Sequence, residues 1–396
     1  MIGPQDIHKA KKVPSSYAVF DKKTTQVCDK ILRRISENDC INLFGIYPLF
    51  LYLPLSRDPQ TMKETLSTIA ERTGFSITTV SRVLSGKAEK HRISQDTIDK
   101  VLKDAREHNY SPSLVAQSLR TNKTNTIGLL LPSLANPYFA EVASVIISEV
   151  HRRNYTTIVI DTMEDEKIFN DSASLLLSRR VDGIIAVPCG TDCTLIESIN
   201  DNYLPVVLID RYYDNSHLCF VTTNNHKGGL LATRHLLGMG HKKIACIQGT
   251  VSSNPSKERV RGYKEAMIEE GYEENICIVG NEFSIQNGYL ETKILLESDN
   301  PPTAIFTLSN TITLGALKAI REASLRIPQD ISLLSFDNYS YMDYMEPPIT
   351  RISQPTEDMG KLATKILFDR IESVPNNISQ LKLSPALIAK ESVGNI

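Results

Sequence analysis

The 396-residue chain has no tryptophan and no apolar run long enough to cross a bilayer. Its most apolar stretch, Ile41 to Leu55, is 15 residues long and is broken by Pro48 and Pro54, against about 20 residues for a membrane-spanning helix. It also lies too far from the first residue to be a secretory signal. Seven cysteines, at 28, 40, 189, 193, 219, 246 and 277, show neither zinc-type pairs nor a disulfide framework; they read as free thiols in a reducing cytoplasm. There is no G-x-x-x-x-G-K-[ST], no H-E-x-x-H and no G-x-S-x-G, and the one glycine pair, Gly238 and Gly240, is a weak signal. No metal or cofactor is implied. What remains is an ordinary globular composition, 41% hydrophobic and 23% charged, in a chain long enough for two or three cores.

The net charge of −2 hides an asymmetry. Residues 62–126 carry 11 Lys/Arg against 7 Asp/Glu, whereas residues 127–396 carry 24 against 33. A small basic module on a large acidic one fits a polyanion-binding head joined to a body with another task. Residues 1–61 show no sustained periodicity. They are either an extension that precedes a natural start at Met62 or a genuine basic arm.

From Thr65 to Tyr110 the apolar spacing is helical. Leu66, Ile69, Ala70 and Thr73 mark one face, Val80, Val83 and Leu84 a second, and Ile98, Val101, Leu102 and Ala105 a third behind the N-cap candidate Ser94. Three short helices are predicted. After Ile127 the pattern changes to apolar runs alternating with helical segments: 127–131, 157–160, 183–187, 206–209, 244–248, 304–308 and 331–336. Continuous apolar strands between helices imply parallel sheets covered on both faces, and seven such units fit two doubly wound lobes better than one. Ligands in such folds bind at the carboxyl ends of strands, here near Pro132, Asp161, Asp210 and Asp337. The predicted architecture is an all-α head at 62–110, a linker at 111–125 and a two-lobed α/β body at 126–396.

Residues 69–83 have the spacing of a helix-turn-helix. Ala70 is small where two helices cross, Gly74 can take the positive φ of the turn, and Ser76 caps a second helix whose first residues would enter the major groove. Ile77 and Thr78 are placed to meet base edges and Arg82, one turn on, to reach a guanine. Thr65, Ser76 and Ser81 are candidate phosphate-positioning groups. Pro112 then restarts the chain for two turns of helix before Thr121, too short to be stable alone.

With that segment in place the sequence resembles the lactose-repressor (LacI/GalR) family of bacterial transcription regulators, over about 335 residues from Met62 onward. The resemblance implies that residues 113–120 are a hinge helix which pairs with its dimer mate. Leu119 would be wedged into the minor groove, with Ala116 on the same face. It further implies a homodimer on a pseudo-palindromic operator and a small effector, a sugar or sugar derivative, in the body. Asn136-Pro137-Tyr138-Phe139-Ala140-Glu141 is similar to the family's cleft motif; of Tyr138 and Phe139, one is expected to face the ligand and the other to pack beneath its helix. Arg259, Asn310, Asp337 and Gln354 match effector-contacting positions, and Asp210 ends the fourth strand. Two departures stand out. The loop Lys87-Ala88-Glu89-Lys90-His91-Arg92 is about three residues longer than usual, and Thr311 stands where many members carry Asp. After the last strand, read as 381–393, no leucine heptads follow, so a lactose-repressor-type tetramer is not expected. The competing classes are a periplasmic sugar-binding protein and a sugar or nucleotide enzyme on the same fold; neither accounts for the basic head.

Overall fold

The computed structural model describes residues 64–111, 123–375 and 380–396. The chain divides into two compact units between Ser111 and Pro112. Ala116 and Leu119, and with them the predicted hinge helix, lie outside the described residues, as does the segment 1–61.

The described part of the first unit holds helices α1 (Leu66–Thr73), α2 (Ile77–Leu84) and α3 (Gln95–Glu107). Each begins where a hydroxyl can satisfy its first free amides. The Thr65 side chain accepts from the Thr68 amide in a reciprocal capping box, Ser76 accepts from Thr79, and Ser94 accepts from Thr97. Gly74 ends α1 at φ 74°, where a Cβ would be strained, and its amide donates to the Ala70 carbonyl at 2.9 Å. Ile69, Ala70, Val80, Val83, Ala88, Val101 and Ala105 form one small core. Arg72 joins α1 to α3 by hydrogen bonds to Asp104 and also grips Glu64. The long loop is a built element: a 3₁₀ turn at Glu89–His91 ends at Arg92 in the left-handed region, and the buried Ala88 receives the amides of His91 and Ile93 on its carbonyl.

The second unit contains two six-stranded sheets. In chain order the strands are β1 (Thr126–Leu131), β2 (Thr156–Asp161), β3 (Gly183–Ala186), β4 (Val206–Ile209), β5 (Cys219–Thr223), β6 (Ile244–Ile247), β7 (Cys277–Val279), β8 (Ala304–Thr307), β9 (Ser332–Phe336), β10 (Thr350–Ser353), β11 (Gln380–Leu383) and β12 (Ala386–Ile388). The sheet orders are β11-β5-β4-β3-β1-β2 and β12-β10-β9-β8-β6-β7. Pairing is parallel throughout except between β10 and β12. Helices α4 (Pro137–Arg152), α5 (Glu166–Ser178) and α6 (Thr194–Asn202) cover the first sheet. Helices α7 (Asn225–Gly238), α8 (Asn254–Glu269), α9 (Ile285–Leu296) and α10 (Asn310–Glu322) cover the second. Helix α11 (Thr356–Ile371) returns to the first sheet and packs on α4. Apolar clusters lie on both faces of each sheet, which explains the uninterrupted runs of β1, β3, β4, β6 and β8. No described helix is long and apolar enough to cross a membrane.

The chain crosses between the lobes three times: from β5 into α7, from β10 into α11, and from β11 to β12 across Ser384 and Pro385. The predicted last strand at 381–393 is therefore two strands in different sheets, with the break at a proline that cannot extend a ladder. Helices α7 and α8 approach so closely that a Cβ on Gly229 would overlap the Arg259 carbonyl, and one on Gly262 the His226 carbonyl. This crossing fixes where Arg259 starts from.

Candidate functional site

On the head, α2 presents Ile77, half exposed, beside exposed Thr78 and Arg82, four residues apart and so on one face. The Thr65 and Ser76 hydroxyls are engaged in the helix caps, and Ser81 is partly buried with its own partner. A half-exposed isoleucine and a threonine at the start of a capped helix, with an arginine one turn on, can touch apolar and polar base edges together. The basic groups of the long loop, which the sequence offers for added contacts to the DNA backbone, are exposed as well. They are Lys87, Lys90, His91 and Arg92, with Glu89 the one acid among them. Loss of solvent, and then the positive Arg82, Lys90 and Lys87, hold the His91 imidazole below its ordinary pKa.

In the second unit a cavity of about 340 Å³, its open mouth included, is lined by Asn136, Tyr138, Phe139, Asp210, Arg211, Pro255, Arg259, Phe283, Ser309, Asp337 and Gln354. Seven of the eight candidate effector residues line it. The eighth, Asn310, is fully buried one residue behind Ser309, and its amide donates to Asp337 Oδ2 at 3.1 Å. Asp161 is absent from the lining. Its carboxylate instead accepts the Leu134 and Met163 amides and ties two loops together.

The walls are built from strand ends. Asp210 follows β4 and Asp337 follows β9, both with left-handed backbones, at φ 66° and 82°. That turn lets each carboxylate leave the sheet into the cleft. The Tyr138 hydroxyl donates to Asp210 Oδ1 at 2.7 Å, and Gln354 Nε2 donates to Asp337 Oδ1 at 2.6 Å. Gln354 Oε1 accepts from the Thr223 hydroxyl at 2.7 Å. Since Gln354 follows β10 and Thr223 ends β5, this amide sits on a crossover and links the polar groups of the two lobes. Arg259, 3% exposed, gives its Nε to Asn225 Oδ1 at 2.8 Å and an Nη to the Leu308 carbonyl at 2.6 Å, and its guanidinium lies 3.6 Å from the Phe336 ring centroid. Burial lowers the Arg259 pKa, while Asp337 and Asp210 oppose that shift. Burial raises the Asp210 carboxyl, against the pull of Arg259 and Arg211. Tyr138 is pushed well up by burial and by the adjacent Asp210.

The expectation that one aromatic of Tyr138 and Phe139 faces the cleft while the other packs beneath is corrected. Both are nearly buried, both line the cavity, and they meet edge to face at 5.1 Å. The first residue of α4 is Pro137, capped by Asn136, so consecutive side chains of the opening turn both reach the mouth. Arg211, Pro255, Phe283 and Ser309 were not foreseen. Arg211 alone had a signal, as a cation two residues after the apolar run of β4.

A family model for bacterial regulatory proteins of the lacI family matches residues 65–113, and one for a periplasmic binding protein-like domain matches residues 233–393. The chain is similar to the ribose operon repressor of Haemophilus influenzae, 34% identical over 330 residues, which covers 83% of this chain and 98% of that protein. It is 33% identical to the HTH-type transcriptional repressor PurR of Pasteurella multocida over 332 residues, with the same coverage. Among solved structures, the lac repressor dimer bound to operator and the anti-inducer ONPF aligns with a TM-score of 0.76 at 25% identity, covering 84% of this chain and 99% of that one. A LacI family regulator from Enterococcus faecium with bound ribose aligns with a TM-score of 0.62 at 28% identity, over 68% of this chain and 99% of that one.

Proposed function

The chain belongs to the lacI family of bacterial regulatory proteins, and from that premise we propose that it represses transcription as a homodimer whose operator affinity is set by a neutral monosaccharide held between the lobes. It is a sequence-specific DNA-binding regulator and not an enzyme, working in the cytoplasm on a pseudo-palindromic operator. The head is residues 62–110, the linker 111–125 and the sensor 126–396. Ile77, Thr78 and Arg82 read bases, and Leu119 and Ala116 act in the minor groove.

The observation that carries the ligand class is the balance of the cavity. Asp210 and Asp337 face Arg259 and Arg211, and Arg211 is paired with Glu164 at 2.6 Å. Two carboxylates accept hydroxyl protons, guanidinium groups donate to hydroxyl oxygens, and Phe139 and Phe283 offer apolar faces to the carbon skeleton. No net positive charge is left to attract an anion. The naming of a ribose operon repressor and of a ribose-bound structure among the similar proteins supports the same class. A purine is the second reading, kept open because the chain is similar to the HTH-type transcriptional repressor PurR to nearly the same degree.

The test is footprinting of DNA upstream of the protein's own gene, with a thermal-shift panel of pentoses, hexoses and purines. A ligand at 100 times its dissociation constant adds about 2.7 kcal/mol to the native state. A pentose that stabilises the protein and changes the footprint is the expected result. Stabilisation by hypoxanthine or guanine alone would replace the sugar by the purine.

A further inference from the structure

Arg211 differs from every other group in the cavity wall because its counter-charge comes from outside. Its side chain is 8% exposed, yet the partner, Glu164, is 41% exposed and does not line the cavity. Both Nη atoms are taken by that carboxylate, at 2.6 and 2.8 Å. Nε is buried with no hydrogen-bond partner among the described residues, and the guanidinium lies 5.8 Å from the Phe139 ring centroid. The Nε–H and one N–H on each Nη are thus left over, while the paired Nη fork that would grip an oxyanion end-on is already occupied.

The position of Glu164 is specified with care. Met163 and Glu164 are consecutive left-handed residues, at φ 53° and 55°. Their turn is held by the Met163 amide on Asp161 Oδ1 and the Glu164 amide on the Pro132 carbonyl, each at 2.9 Å. Asp161 Oδ2 also receives the Leu134 amide at 2.8 Å. Two loops at the carboxyl ends of β1 and β2 therefore converge to hold one exposed carboxylate against one buried guanidinium. An exposed ion pair has no such need of support.

We propose that Glu164 is a specificity-determining residue which, by occupying the fork of Arg211, restricts the cavity to uncharged polyols and keeps out phosphorylated or carboxylated analogues. It acts through Arg211 and is a positioning residue, not a ligand contact. Asp210 and Asp337 repel an anion from one side, and Glu164 removes the attraction that Arg211 would supply from the other. The inference rests on the sugar-sensing reading, and its test does not require the effector to be known.

The probe is inorganic phosphate, titrated at constant ionic strength into the full-chain protein by calorimetry and by thermal shift. The wild-type protein is expected to show no saturable phosphate binding at millimolar concentration. Glu164→Gln should gain binding at least tenfold tighter, Glu164→Asp should behave as wild type, and Glu164→Gln/Arg211→Gln should lose the gain. Glu164→Ala, which removes the charge without leaving an amide to refill the fork, provides an independent repeat, and circular dichroism checks that each variant is folded. Phosphate binding by Glu164→Gln no tighter than wild type, or a gain that survives loss of Arg211, would overturn the proposal. A pentose panel on the wild-type protein tests the sugar reading separately, because it is independent of whether the variant gains an anion.

Discussion

Arg82 and Arg259 carry the same guanidinium into opposite surroundings. Arg82 stands exposed on a helix of eight residues, whereas Arg259 is 3% exposed and held by Asn225, the Leu308 carbonyl and the face of Phe336. The head thus meets its partner with side chains that must be ordered on contact, at a cost of about 0.5–1.5 kcal/mol for each long side chain. The cleft meets its ligand with groups already fixed. The difference suits the two tasks. A DNA surface is large and charged enough to offset ordering, while a small polyol offers few atoms and needs a prebuilt site.

The strongest way to break this contrast is Arg259→Ala. Removing a buried cation that ties α7 to the end of β8 should cost about 3 kcal/mol or more of stability, because Asn225 and the Leu308 carbonyl lose their donor and two carboxylates lose a counter-charge. It should also abolish the ligand response while operator binding by the folded fraction persists. Denaturant melts and footprints with and without ligand measure the two effects. Equal loss of DNA binding by the folded protein would mean that the cleft and the head are not separable.

Arg82→Ala is the counterpart in the head. It should weaken the specific complex by about 1–3 kcal/mol, weaken binding to random DNA much less, and leave the melting transition almost unmoved. If specific and random DNA suffer alike in a filter-binding assay, Arg82 touches phosphate and the base-reading role belongs elsewhere.

A smaller effect distinguishes the regions by proton. Burial holds the Asp210 carboxyl above its ordinary value in the free protein. Its ionised form is therefore disfavoured by folding, and the free protein loses stability from this group as pH rises from the unfolded value through the raised one. Hydroxyl donors of a ligand favour the ionised form, so binding releases a proton and affinity falls as pH drops through the raised range. Calorimetry in buffers of different ionisation enthalpy detects that proton; Asp210→Asn should remove it.

The smallest effect concerns the long loop. Lys87→Ala/Lys90→Ala should lower the slope of log affinity against log salt by about 2, equally on operator and random duplex, since each contacted phosphate contributes roughly 0.9. An unchanged slope would show that the loop points away from the backbone.

The same contrast explains what the sequence made legible. Helix caps such as Ser76 and Ser94 and the turn at Gly74 are local, so they can be read without the fold. The buried strands β1, β4 and β8 announce themselves because both faces are apolar. Strand β10, Thr350-Arg351-Ile352-Ser353, does not look like an interior strand. Its Arg351 is nevertheless 2% exposed, satisfied by Asn338, Asp343 and the Ile349 carbonyl. Strand β5 was hidden in a similar way, by the threonines that serve the Asp210 carbonyl and Gln354. The candidate cleft residues came from a resemblance, and their assembly was not visible in spacing: Tyr138 and Asp210 are 72 positions apart, and Tyr138 and Gln354 are 216 apart. Phe283 was overlooked because a lone phenylalanine carries no pattern, and Arg211 because its one signal, a cation near a strand end, is shared with many solvated side chains.

The third crossing between the lobes bears on how the protein is made. Strand β11 completes one sheet beside β5 and strand β12 completes the other beside β10, and both come after all the strands they join. During synthesis the flanks of β5 and β10 therefore stay unpaired until residues 380–388 leave the ribosome. Open strand edges recruit other chains. A chain interrupted before residue 380 would therefore carry two uncovered strand flanks, at β5 and β10.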